Sequence, residues 1–193
     1  MQSDLLTTEQ LRLQVEKLHI QHIKLCQDNF LYFVQEVWPD FICRKEKQKS
    51  KWGHHQIIAN EFTKISDNKK GRLIINMPPR HTKSEFASVY FPAWIIGRNP
   101  KMKIMQVSHN TELAVRFGSK VRNIIDSPEY KQIFGDVKLR EDSKAKGRWE
   151  ISQGGEYYAA GVGASITGRG ADLLIIDDPH TEQDSMSDVA MER

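Results

Sequence analysis

The chain of 193 residues is 39% hydrophobic and 27% charged and carries a net charge of +3. That is the make-up of an ordinary soluble globular protein, long enough for one medium domain with a small appendage, and its mild charge permits a nucleic-acid partner without demanding one. The longest apolar runs are far too short to span a membrane, and two cysteines (Cys26 and Cys43) without CxxC spacing or a secretory leader fit a reducing, cytosolic setting.

In chain order, Leu11, Val15, Leu18, Ile23, Leu25, Phe30, Phe33 and Val34 recur at helical spacing. They predict one or two amphipathic helices, capped by Thr7 or Thr8 and closed by Pro39. Residues 43–53 are a charged, solvated connection, and helix resumes near residues 54–65. After Gly71 the rhythm changes. The run "RLIINM" at 72–77 predicts a strand buried on both faces, leading directly into "PPRHTKS". The helix that follows presents Phe86, Val89, Tyr90, Ala93 and Trp94 on one side, and Pro92 is expected to bend it or end it early. "KIMQVS" at 103–108 is a second strand. From about Asn110 a helix carries Leu113, Phe117, Val121 and Ile124 on one stripe. "RWEIS" and "EYYAAGV", separated by Gln153-Gly154-Gly155, read as a hairpin. A glycine-rich loop at 161–170 then precedes the strand "DLLIIDD". The expected fold is α/β, with a mostly parallel central sheet flanked by helices. Residues 1–50 form an N-terminal helical segment and 51–193 the core.

Two motifs carry chemistry. Lys83-Ser84 ends like the phosphate-loop pattern G-x-x-x-x-G-K-[ST], but Met77 and Thr82 stand where the glycines belong. A phosphate cradle needs inward N–H groups at a strand–helix junction, a lysine for the β/γ-phosphates and a hydroxyl for Mg²⁺. The plain alternative is a Lys-Ser pair at a helix start. In "LLIIDDPH", four apolar residues deliver Asp177 and Asp178 to a strand's C-terminal edge, where ligands of open α/β sheets bind. Asp177 is placed to hold Mg²⁺ opposite Ser84, and Asp178 to orient or deprotonate attacking water. The bland reading is a strand ending in an Asp-Asp-Pro turn. A KS loop followed well downstream by a DD-ended strand is the Walker A/Walker B order of P-loop ATPases.

Together, "NMPPRHTKSE", "IMQVSHNTELAVRFGSKVRNII" and "GGEYYAAGVGASITGRGADLLIIDDPH" resemble the ATPase domain of a tailed-phage terminase large subunit, from about Trp52 to the C-terminus. The resemblance implies a P-loop core of the ASCE, RecA-like type. It also implies ATP and Mg²⁺ as cofactors, translocation of double-stranded viral DNA, and a homo-oligomeric ring at the portal. The portal protein and the small terminase subunit would be partners, in the host cytoplasm and without a membrane. Pro79, Arg80, His81, Thr82, Lys83 and Ser84 would line the phosphates. Arg80 would sense the γ-phosphate or stabilise transition-state charge, unless it is a plain turn arginine. Gln56 would read adenine, or is a polar residue on a helix face. Arg169 would be an arginine finger reaching a neighbouring subunit, with DNA phosphate contact or a tight turn as alternatives. Ser108-His109-Asn110 would couple nucleotide state to DNA, or only cap a helix.

The chain departs from the family in three places. Thr82 replaces the glycine before the lysine, Asp178 occupies a position where many terminases have glutamate, and the chain stops at Arg193. Glu182 is a further acid near the second departure. The third leaves no room for a coupling motif or for the family's C-terminal nuclease, so DNA cleavage is not expected and the chain reads as truncated. Rival readings are a superfamily 2-like helicase or remodelling ATPase, and an inert nucleotide- or DNA-binding fragment.

Overall fold

The computed structural model describes residues 7–41, 53–69, 71–165 and 168–180. Two helices open the chain, α1 (Thr8–Asp28) and α2 (Phe30–Val37). Thr7 caps α1 through a capping box: its hydroxyl accepts from the Gln10 N–H at 3.3 Å, and its own N–H donates to Gln10 Oε1 at 2.8 Å. Asn29 separates the helices and caps the second, accepting from the N–H groups of Leu31 and Tyr32. α3 (His54–Ser66) follows.

The next helical stretch is continuous from Lys83 to Arg98 but changes pitch. It begins as α4 (Lys83–Glu85), widens into a π-turn over Phe86–Tyr90, and continues as α5 (Phe91–Arg98). Pro92 therefore does not end the helix early. A proline ring inside a regular helix clashes with the carbonyl four residues back, and that residue, Ser88, lies in the widened turn. The Phe91 N–H reaches back five residues to Phe86 O.

α6 (Thr111–Asp126) and the short α7 (Pro128–Ile133) complete the helices among the described residues; Asn110 and Ser127 cap them with side-chain oxygens. The strands are β1 (Lys103–Ser108), β2 (Leu139–Ala145), β3 (Arg148–Ile151), β4 (Glu156–Gly161) and β5 (Leu173–Ile176). They form one sheet in the order β2-β3-β4-β1-β5. β1 pairs in parallel with β4 and β5, while β2–β3 and β3–β4 are antiparallel. The protein is thus α/β, but its sheet is mixed rather than mostly parallel. The sequence hid β2 because "LREDSKA" is too polar for an apolar-run signal.

Residues 72–77 make no strand. They run without strand pairing, and Ile74 is 86% exposed, so the expected burial on both faces does not occur. β5 is likewise open on one face, with Leu174 and Ile176 exposed. Both runs are apolar enough to be buried, but among the described residues β5 is the sheet's edge and 72–77 pairs with no strand.

One core joins the helices to the sheet. Phe30 stands edge-on to Phe62, Phe86 and Trp94 at centroid distances of 5.2, 5.4 and 5.6 Å, contacts worth about 0.5–1.5 kcal/mol each beyond area burial. α2 therefore packs into the same core as α3 and α5. At the other end, Trp149 stacks on Tyr157 at 4.8 Å and donates its indole N–H to Gly118 O. Glycine is required there, since a Cβ on residue 118 would lie 2.8 Å from the Tyr157 ring. No helix among the described residues is long and apolar enough to cross a membrane.

Candidate functional site

The segment between the extended residues 72–77 and α4 is a tight turn in which Arg80 and Thr82 both take positive φ, 63° and 64°. Thr82 is the residue immediately before α4, so the left-handed kink turns the chain directly into the helix. A β-branched residue resists this conformation, at about 1–2 kcal/mol. Thr82 is held there by two hydrogen bonds. Its hydroxyl donates to His81 O at 2.6 Å and lies 2.9 Å from His55 Nε2. With its single proton spent on His81, the hydroxyl accepts from His55, which fixes the His55 tautomer as Nε2–H. Burial, with His54 next to it, pushes the His55 ring down to about 4, so the ring is neutral at pH 7. His81 Nδ1 in turn donates to Pro79 O at 2.9 Å, closing the turn on itself.

The first N–H groups of a helix have no acceptor within the helix. Those of Lys83 and Ser84 therefore face outward at the mouth of α4, where an anion is favoured by both geometry and dipole. Lys83 reaches across from this mouth to the end of β5. Its ammonium lies 2.7 Å from Asp178 Oδ1 and 3.8 Å from Asp177 Oδ1. The hydrogen bond to Asp178 raises the Lys83 ammonium above its ordinary value. The two acids differ in setting. Asp177 is 5% exposed and accepts from the Ser88 hydroxyl at 2.9 Å; Ser88 in turn accepts from the buried Gln106 amide at 3.3 Å. Asp178 is exposed at φ 46°, and its carbonyl accepts from the His109 N–H at 3.1 Å.

Residues far apart in sequence therefore meet at one edge: Lys83, from the start of α4, reaches Asp177 and Asp178 at the end of β5, and Ser84 is its neighbour in the chain. Ser84 is half-buried, about one turn before Ser88 on the same helical stretch. Among the described residues, Asp177 is hydrogen-bonded to Ser88 rather than to Ser84. Sequence reasoning missed Ser88, Gln106 and His55. A polar residue in the middle of the buried strand β1 was the available signal for Gln106; the i+4 spacing from Ser84 was the one for Ser88.

The other candidates lie as follows. Arg80 is exposed on the turn. Gln56 is on the first turn of α3, beside His55, and donates to Asn60 Oδ1 at 2.9 Å. Asn110 caps α6 through Leu113 N–H, and Ser108 is buried at the end of β1. Arg169 stacks on the Tyr158 ring at 4.2 Å and sits 3.5 Å from Glu156, in a groove with Lys103 and Met105. Lys103 and Glu156 begin β1 and β4, so within one chain Arg169 lies at the opposite end of the parallel strands from Asp177. Glu182 lies outside the described residues, as does the charged connection at 43–53 apart from Gly53.

Chemically, a lysine, a helix mouth, one buried and one exposed carboxylate, and adjacent hydroxyls suit a phosphate ester carrying a divalent cation. The chain matches no protein-family model and no curated protein.

Proposed function

We propose that this chain is a P-loop ATPase of the DNA-packaging kind, the motor domain of a phage terminase large subunit. The observation that carries the reading is the meeting of Lys83 with Asp178 and Asp177 across 95 and 94 positions of sequence. Two apolar-run motifs that are separately commonplace converge on one sheet edge, in the roles that phosphoryl transfer needs. The three stretches resembling terminases supply the choice of DNA packaging among P-loop functions.

The donor set fits ATP and Mg²⁺. Ser84 and Asp177 would hold the ion, which when bound neutralises charge on the phosphate oxygens. Lys83 would exchange Asp178 for those oxygens, joined by the N–H groups at the mouth of α4 and by Arg80. Asp178, released from Lys83, orients water towards the γ-phosphorus and takes its proton as the bond to the leaving oxygen breaks. Ser88 and Gln106 hold Asp177 in one rotamer, so the acid is positioned before any ligand arrives. Arg169 acts on a neighbouring subunit's site, an assignment that agrees with its distance from this chain's own acids.

Phosphate release from MgATP, measured with and without double-stranded DNA at concentrations that favour assembly, tests the reading. Turnover that rises with DNA is expected. Strand separation of a DNA duplex would favour the helicase rival instead. A second reading, an inert nucleotide-binding module, is favoured by Thr82 at φ 64° beside the lysine; it expects ATP binding without turnover under any condition.

A further inference from the structure

A cluster remote in sequence from the phosphate turn joins the two N-terminal helices. His22 and Cys26 are four residues apart on α1, so their side chains share one face of the helix, and Glu36 comes to meet them from α2. His22 Nε2 lies 2.9 Å from Glu36 Oε2 and 3.7 Å from Cys26 Sγ, and the three donor atoms all fall within 4.8 Å of one another. We infer that His22, Cys26 and Glu36 form a site for one zinc-type divalent cation, which ties α1 to α2.

Two of the three spacings lie close to those of a coordination shell, and the third is within 4.8 Å. With metal–sulfur and metal–nitrogen bonds of about 2.3 and 2.05 Å at a tetrahedral angle, sulfur and nitrogen sit about 3.6 Å apart. The Cys26–His22 distance is already there. The His22–Glu36 pair needs to open by about 0.4 Å, which the half-exposed Glu36 side chain allows. One imidazole, one thiolate and one carboxylate are the donor types of zinc rather than of calcium or magnesium. Charge also balances: a doubly charged cation meets one thiolate, one carboxylate and a neutral imidazole. The fourth position is left to water.

The thiol explains why a metal suits this place better than an ion pair alone. Cys26 is fully buried, with the Glu36 carboxylate close by. A bound cation displaces the thiol proton to solvent as the metal–sulfur bond forms, and the nearby carboxylate becomes a ligand. The backbone is braced for this. Cys26 O accepts from Trp94 Nε1 at 3.0 Å, and Gln27 Nε2 donates to Ile133 O at 2.6 Å, so this end of α1 cannot swing away.

The test uses cobalt(II) as a spectroscopic stand-in for zinc on chelator-treated full chain. One equivalent of Co²⁺ is expected to give a thiolate-to-cobalt charge-transfer band in the near ultraviolet, bleached by added Zn²⁺. The band should vanish in Cys26→Ser, weaken at least tenfold in apparent affinity in His22→Ala and Glu36→Gln, and persist in Cys43→Ser. A hundredfold excess of Zn²⁺ over its Kd should raise the melting temperature of the parent by roughly 5–10 °C and that of His22→Ala by at most about half as much. His22 is exposed, so that variant keeps the test decisive even where Cys26→Ser fails to fold. No band in the parent, or a band lost in Cys43→Ser but kept in Cys26→Ser, overturns the inference.

Discussion

Replacing Asp178 with asparagine separates nucleotide binding from turnover and does so in opposite directions. In the structure Lys83 is committed to Asp178 at 2.7 Å, with side chains 27% and 56% exposed. A pair that wet contributes about 1 kcal/mol after solvent screening. A phosphate tail must dissolve this pair before it can use the ammonium. In Asp178→Asn that cost disappears, and a carboxylate that repels phosphate is removed as well. Nucleotide should therefore bind about fivefold more tightly, since 1.4 kcal/mol is tenfold. Turnover should fall by about 10²–10⁴, the usual contribution of a positioned base. Titration with a fluorescent ATP analogue in chelator, then in Mg²⁺, reads the first effect; phosphate release with DNA present reads the second. Weaker binding in chelator by Asp178→Asn, or unchanged turnover, would refute the reasoning.

Three further outcomes follow from the packing. Ser88→Ala removes the hydroxyl that donates to buried Asp177 and accepts from Gln106, and should cost about 1–3 kcal/mol in denaturant unfolding, whereas Ser84→Ala should cost little stability and chiefly weaken Mg²⁺-dependent binding. Equal stability losses in the two would contradict the assignment of Ser88 as the positioning residue. Gly97→Ala places a methyl 2.5 Å from the Phe134 ring and should destabilise by about 1–3 kcal/mol, while Gly71→Ala, with open space around it, should be near neutral. His55 stays neutral in the folded chain to about pH 4 but takes a proton near 6.5 when unfolded, so its contribution is complete above about 6.5 and is lost as pH falls towards 4. Between pH 7 and pH 5 the parent should lose about 2 kcal/mol that His55→Gln does not; parallel pH profiles of the two would count against a buried neutral imidazole.

The parts of the fold that announce themselves by local pattern were legible in the sequence. β1 falls on 103–108 as expected, the 148–161 hairpin forms, and Asn110 caps the α6 stripe. Pairing partners were not legible. "RLIINM" has the apolar content of a buried strand, yet a strand exists only where neighbours satisfy its backbone, and among the described residues it has no strand partner. β2 fails the opposite way: a polar edge strand is specified by its hydrogen bonds to β3, not by its own side chains. Pro92 carried a correct warning about helix geometry, but the helix answered by widening ahead of the proline instead of stopping. At the candidate site, Lys83, Ser84, Asp177 and Asp178 were readable because motif order survives in one dimension. Ser88, Gln106 and His55 were not, since their contribution is a contact made only after folding.

Equilibrium titration of MgATP into the parent and into Lys83→Ala tests the central claim most directly. Lys83 bridges the turn and both acids, so its loss should take nucleotide binding below detection, at least a hundredfold, while thermal melts stay within a few degrees because the pair it breaks is largely solvated. Unaltered affinity in Lys83→Ala, with the fold intact, would contradict the claim that this edge of the sheet holds a nucleotide.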